Sequence, residues 1–348
     1  MKKIQYNHKL EYFSSGLWER YFGGMSFCVF DIETLGLSPA FCPVVLAGVM
    51  TVGSSGDCLL TQYFAETPEE EKELLLTLAD YLNRFDLIVT YNGRHFDVPF
   101  IKKRAAACGL SEFSVKPYNL DLYLVIKGHS PFRQILTSLS QSSIEEYMGL
   151  SVGRLDEISG KESVELYYKY LKCTDPAFKS ELMEKILLHN HDDLVQLYRI
   201  LPIIKQTDLH SAMSALGFPV KGQDGWPNMS VQKINLSSRA LTVSGILPES
   251  SCDYTPYSCF SSGFDFWSWD ISKDGSFELT LPTEKRKGSS FVNLRALQVE
   301  TDGLKLLGGY VNGFLILSES NKRNPLEINM LTRELLFKFM AETPFLRY

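Results

Sequence analysis

Residues 26–37 read SFCVFDIETLGL, an apolar run that ends on two carboxylates, Asp31 and Glu33, on either side of Ile32. The apolar stretch Ser26–Ile32 predicts a buried strand. Side chains alternate along a strand, so Asp31 and Glu33 lie side by side while Ile32 faces the core. Neighbouring carboxylates at the end of a buried strand repel unless they share a proton or a cation. Hard oxygen donors of this kind suit Mg²⁺ or Mn²⁺. Two solvated acids at a strand end give the same pattern, so this segment alone leaves both readings open.

Working outward, VVLAGVMTV (44–52) and CLLTQYF (58–64) are two more strands, and the Gly53–Gly56 stretch between them predicts a hairpin. A helix then starts with Thr67 as N-cap, Pro68 in the first position and Glu70 at the capping-box position, and runs to about Arg84 on Leu74, Leu75, Leu78 and Leu82. Asp86–Thr90 reads as a short buried strand, and a helix follows Phe96. Strands mixed with helices in this order predict an α/β domain. Residues 120–205 read as mostly helical. Past Pro202 the character changes: 206–230 is read as a linker rich in Gly and Pro, and 231–348 as a smaller antiparallel β-rich domain closed by a helix near 331–340. Residues 1–24 are read as a packed N-terminal extension. The aromatic run FDFWSWD (264–270) is read as buried β core.

Two further segments bear on the acids. In VTYNGRHFDVPF (89–100), Asn92 and Gly93 supply a turn and Asp97 opens the next helix. Taken alone, Asp97 serves equally well as a first-turn acid complementing the helix dipole. In EKILLHNHDDLVQLYRI (184–200), Asp193 shares its helical stripe with Ile186, Leu197, Ile200 and, further on, Ile204. Asp192 shares its own with Lys185, Gln196 and Arg199. The first stripe is expected to face the core and the second to face water. A charge on a buried stripe is costly unless paired or metal-bound, which singles out Asp193. His189, four residues before it, falls on the same face and has the right intrinsic pKa for a general base; a packing histidine paired to Asp193 is the plain alternative. His191 points elsewhere.

The formal charge of −6 argues against a protein that coats nucleic acid, because phosphate neutralisation by Lys and Arg drives such binding. Any nucleic-acid contact then comes from a local basic patch or bound metal; Lys102, Lys103 and Arg104 are one candidate patch and equally a solvated helix face. Phe96 is read as core rather than as a base-stacking residue. Seven scattered cysteines with no CxxC pair exclude a disulfide framework and a structural zinc site. With no apolar segment behind the first lysines and no run long enough to span a bilayer, no secretory signal and no membrane are expected, and the expected compartment is cytoplasmic. Protein partners are not indicated.

The segments FDIETLGL, YNGRHFDVPF and HNHDDLVQL, in this order, resemble the three motifs of the DEDD (DnaQ-like) 3′–5′ exonuclease superfamily, over about residues 25–205. The resemblance is greatest to a bacterial branch of ribonuclease H-like exonucleases. It implies a ribonuclease H-like mixed sheet flanked by helices. It also implies Asp31, Glu33, Asp97 and Asp193 as metal-binding and catalytic carboxylates for two Mg²⁺ or Mn²⁺ ions, with Asp31 bridging both, and His189 as general base. The substrate implied is single-stranded DNA or RNA with a 3′ end, its terminal nucleotide held by the Thr34–Leu35–Gly36 segment and the Asn92 side chain. Two departures stand out. His189 occupies the spacing at which one branch carries a tyrosine, and Leu35 replaces a more usual threonine. The alternative function is a non-catalytic nucleic-acid-binding or scaffold module on the same fold; a phosphoesterase for short oligonucleotides is a further one.

Overall fold

The computed structural model describes residues 1–150, 155, 158–223, 225–247, 268–272 and 274–342. The chain divides into two compact units, Met1–Glu19 with Met25–Thr207, and Arg20–Gly24 with Asp208–Tyr348.

The first unit is built on a six-stranded mixed sheet in the order β1-β4-β3-β2-β5-β6. Its strands are β1 (Lys2–Lys9), β2 (Phe27–Thr34), β3 (Val44–Val52), β4 (Asp57–Phe64), β5 (Leu87–Thr90) and β6 (Tyr118–Asp121). β1 through β2 are antiparallel neighbours in that order, whereas β5 runs parallel to β2 and β6 parallel to β5. The Gly53–Gly56 stretch closes the β3–β4 hairpin, with the Gly53 amide donating to the Asp57 carbonyl. One correction concerns the N-terminus: residues 2–9 are not an appended extension but an edge strand paired along their whole length with β4. Their alternating Ile4, Tyr6 and His8 are the partly buried positions, a period-two pattern.

The helices of this unit are α1 (Gly16–Phe22, which crosses the boundary between the units), α2 (Glu71–Leu82), α3 (Asp97–Ala107), α4 (Leu122–His129), α5 (Phe132–Ile135), α6 (Gln141–Tyr147), α7 (Gly160–Lys172) and α8 (Pro176–Arg199). They cover both faces of the sheet. On one face Leu74, Leu75, Leu78 and Leu82 of α2 and Phe100, Ile101 and Ala105 of α3 pack on Cys28, Phe30 and Ile32 of β2. Each of those fully buried leucines contributes about 1.5–3 kcal/mol of transfer free energy. On the other face Tyr167, Tyr170, Leu182, Ile186 and Leu187 of α7 and α8 pack on Val45, Leu46 and Phe64. A 3₁₀ turn, Pro68–Glu70, precedes α2, and Thr67 makes no side-chain cap; Glu70 instead accepts from the Glu66 amide at 2.7 Å. α7 does carry a full capping box between Ser159 and Glu162. This arrangement is the α/β mixed sheet flanked by helices that the motif resemblance implies.

The second unit is dominated by antiparallel strands. α9 (Leu209–Leu216) leads into β7 (Phe218–Val220), β8 (Met229–Leu236), β9 (Ala240–Ile246), β10 (Ser268–Ile271) and β11 (Ser276–Pro282), which form a sheet in the order β10-β11-β9-β8-β7. β12 (Glu284–Arg286), β13 (Ser289–Asn293), β14 (Tyr310–Val311), β15 (Phe314–Glu319) and β16 (Lys322–Arg323) form a second, with α10 (Asp302–Lys305) between β13 and β14. α11 (Pro325–Glu342) follows. The segment 206–230 is thus not a linker: Leu209, Ala212 and Met213 bury one face of α9, and Phe218 and Val220 are buried in β7. Of the aromatic run 264–270, residues 264–267 lie outside the described residues. Trp269 is buried against Phe277 and Phe339, with ring centroids 5.1 and 3.7 Å away. No described helix is long and apolar enough to cross a membrane.

Candidate active site

Alternation along β2 sends Phe30 and Ile32 into the α2–α3 core and leaves Asp31 and Glu33 on the opposite face, under α8. The β2–β3 pairing runs regularly through Asp31↔Gly48 and Glu33↔Leu46 and then slips between Glu33 and Thr34. That irregularity ends the ladder beside the two acids, a common place for a bulge to re-aim the chain. Asp97 is the first residue of α3, where the helix N-terminus favours a carboxylate. His189, Asn190 and Asp193 come from the middle of α8.

Glu33, His189 and Asp193 have ligand atoms all within 4.8 Å of one another. His189 Nε2 is 3.7 Å from a carboxylate oxygen of each acid, beyond direct hydrogen-bond range. Asp31 accepts a hydrogen bond of 2.8 Å from Asn190 Nδ2. The Asn190 carbonyl oxygen in turn accepts from Gln62 Nε2 at 2.8 Å, and Gln62 also donates to the Leu187 carbonyl. Gly48 permits this approach. A Cβ there would stand 2.2 Å from Asn190 Oδ1 and 2.4 Å from Leu194 Cδ1.

The electrostatics are those of crowded, buried carboxylates. Burial, then the charges of Asp97, Asp193 and Glu33, hold the Asp31 carboxyl well above its ordinary range, against the Asn190 hydrogen bond. Burial pushes Glu33 up to about 7, with Asp193 adding to it and His189 and a hydrogen bond from Ser163 opposing. Asp97 is also pushed up to about 7 by burial, despite hydrogen bonds from the backbone of Asp97 and Ile32. Among the described residues no Lys or Arg pairs with Asp31, Glu33 or Asp97. Four converging carboxylates with one imidazole are an unfavourable arrangement unless cations join them. All the donors but one are hard oxygens, so the residues present fit Mg²⁺ or Mn²⁺.

The other sequence-predicted residues lie around this cluster. Thr34 is buried and its hydroxyl donates to the Gly36 carbonyl at 2.8 Å, so the turn occupies it. Leu35 packs at the edge of the α7–α8 core. Gly36 adopts φ +147, and a Cβ there would meet Cys42 Sγ at 2.9 Å. Asn92 has φ +63, a left-handed conformation that Asn tolerates. Its amide donates to Asp121 Oδ1 and that of Arg94 to Asp121 Oδ2, both at 2.9 Å. Asp121 also caps α4 through the Leu124 amide, so one buried acid fixes the turn before Asp97.

Two expectations are corrected. Asp192 does not lie on a wet face but is 3% exposed, while Asp193 is only partly buried. The stripe of Asp192 is covered from above: Leu155 donates its amide to Asp192, and Gln196, fully buried, donates to the Leu150 carbonyl. Asp192 further pairs with His191 Nδ1 at 2.9 Å, and His191 Nε2 meets His8 Nε2 at 2.8 Å. Arg104 is not a free strand guide. It chelates buried Glu71 at 2.6 and 2.8 Å and donates to the Pro39 carbonyl. Phe96, as expected, packs in the core against Phe100.

Sequence reasoning missed Asn190, Gln62, Gly48, Ser163 and Asp121. Asp121 carried a signal, an acid directly before a helix-forming run. Asn190 carried another, a polar residue on the helical stripe of Ile186 and Leu194.

A family model described as the RNase H superfamily matches residues 28–204. Among solved structures, the chain is similar to a family B DNA polymerase from the hyperthermophilic archaeon Pyrobaculum calidifontis, with 22% identity and a TM-score of 0.38. That likeness covers 52% of this chain and 25% of the polymerase, so the chain spans about a quarter of it. No curated protein matches the chain.

Proposed function

The chain belongs to the RNase H superfamily, and on that premise we propose that it is a 3′–5′ exonuclease of the DEDD group, hydrolysing phosphodiester bonds of single-stranded DNA or RNA. The observation that carries this reading is the burial of Glu33 and Asp97 beside the partly buried Asp31 and Asp193, with no Lys or Arg pairing with Asp31, Glu33 or Asp97 among the described residues. These four carboxylates would hold two Mg²⁺ or Mn²⁺ ions, which supply a water of lowered pKa and neutralise charge at the scissile phosphate. The charges of Asp97, Asp193 and Glu33 all act on the Asp31 carboxylate, which would therefore gain from a cation beside it. Asn190 orients that carboxylate by occupying one of its oxygens.

His189 takes the proton from the attacking water. Its Nε2 lies between Glu33 and Asp193, two acids that stabilise the imidazolium it becomes. Asn92 and the backbone of Thr34–Gly36 hold the terminal nucleotide. The 3′–5′ direction follows from the motif resemblance.

The test uses 3′- and 5′-labelled single-stranded DNA and RNA with Mn²⁺, Mg²⁺ or EDTA, beside an Asp31→Ala control. Metal-dependent shortening from the 3′ end, lost in the control, is expected. Binding with no cleavage under any condition would replace this reading with the non-catalytic module.

A further inference from the structure

A cleft of about 780 Å³ opens beside the acid cluster, walled by the turn after β5, by α4 and by the run leading into α6. Asn92 forms part of one wall and Gln141 part of another. Gln141 Nε2 donates to the backbone carbonyl of Asp193 at 3.0 Å, so one wall of the cleft is tied to the helix that carries Asp193. Its volume lies in the upper part of the range of about 300–1,000 Å³ found for ligand sites.

The lining has the opposite charge balance to the chain. In a protein of formal charge −6, the described residues that line the cleft include no Asp or Glu, and the charged ones among them are Lys127 and Arg133. Both are exposed. An aromatic pair shares the lining with them. The Tyr123 ring is half-buried, 5.8 Å from the Tyr91 ring, with Lys127 Nζ 5.2 Å from its centroid. Tyr91 is pinned, because its hydroxyl donates to the Leu139 carbonyl at 2.5 Å. A ring presented in a groove with cations beside it matches a polyanion whose bases are unpaired and free to stack.

We infer that this cleft grips the single strand on the 5′ side of the nucleotide at the carboxylates, with a base on Tyr123 and phosphates at Lys127 and Arg133. The inference rests on the exonuclease reading for its polarity. Two cations give a short, salt-sensitive grip, which agrees with an acidic chain that engages few nucleotides at a time.

Fluorescence anisotropy of a labelled single strand of about ten nucleotides, run in EDTA so that nothing is cleaved, tests it. The Lys127→Ala/Arg133→Ala double variant is expected to bind about tenfold more weakly at low salt. The slope of log affinity against log salt should fall by about 1.4, from two phosphate contacts at about 0.7 each. Tyr123→Ala is expected to lose at least about fivefold in affinity, and Tyr123→Phe, which keeps the ring, to recover most of it. The duplex of the same sequence should bind more weakly than the strand. Wild-type affinity and salt slope in the double variant would overturn the inference, as would a Phe variant as weak as the Ala variant or equal binding of duplex. Wild-type protein that cleaves nothing in Mn²⁺ would remove the exonuclease reading separately, since the anisotropy does not depend on turnover.

Discussion

Substituting Glu33→Gln removes an ionisable group that its surroundings push up to about 7 from an ordinary 4.5. That elevation of about 2.5 corresponds to roughly 3 kcal/mol. For an acid raised in this way the folded state holds the proton more tightly than the unfolded chain does. The associated stability is therefore present below the unfolded value near 4.5 and is lost as pH climbs to about 7. At pH 8 without metal the folded wild type bears the whole cost of an ionised, buried carboxylate. Glutamine has nothing to ionise. Part of the gain is offset because the hydrogen bond from Ser163 to the carboxylate is weakened, so roughly 3 kcal/mol is an upper bound. With about 2–4 °C per kcal/mol for a unit of this size, the variant should melt several degrees higher in EDTA at pH 8. Calorimetry at pH 5 and pH 8 reads the difference, which should shrink to about 1 kcal/mol or less at the lower pH. Added Mn²⁺ should then raise the wild-type Tm more than that of the variant, since metal binding to the folded state alone is stabilising. Equal melting of the two proteins at pH 8 in EDTA, or a less stable variant, would refute the claim that Glu33 is held ionised against the cost of its burial.

Three other substitutions probe the frame around the site. Asp192→Asn should cost about 1–3 kcal/mol in urea unfolding while hydrolysis persists, because Asp192 serves the Leu155 amide and His191 rather than the acid cluster. Gly48→Ala forces a Cβ to within 2.2 Å of Asn190 Oδ1 and should cost about 1–3 kcal/mol by overpacking. It should also raise the Mn²⁺ concentration needed for half-maximal hydrolysis, since Asn190 no longer steadies Asp31. His189→Gln should lower kcat by about 10²–10⁴-fold with strand affinity in EDTA retained; a loss in affinity alone would mark His189 as a binding residue.

Much of the first unit was legible because its signals are local. Apolar runs mark β2, β3 and β5, the Gly53–Gly56 stretch marks the hairpin, and the leucines of α2 mark its buried stripe. Alternation placed Asp31 and Glu33 on one face, and the motif resemblance made them candidate site residues. Asp193 was picked out on an argument that the structure reverses. A helical wheel says which residues share a stripe, but a stripe becomes buried only when something distant covers it. Here Leu155 donates its amide to Asp192, and Gln196 donates to the Leu150 carbonyl. The tie from Gln62 to Asn190 to Asp31 was illegible for the same reason, as it joins β4, α8 and β2. β1 was missed because a single edge strand with lysines at both ends carries little apolar signal, and its pairing with β4 supplies the order instead.

His189, Asn190 and Asp193 fall within five consecutive residues of one helix, and that helix is seated on the sheet by the fit of Asn190 beneath Gly48. They therefore share every displacement of a single rod. A slip of one residue along α8 is about 1.5 Å of travel and about 100° of rotation. It would swing His189, the Asn190 clamp on Asp31 and Asp193 away together. The fit of one side chain against one glycine thus acts as a detent for the whole centre, which is either fully engaged or fully out of gear.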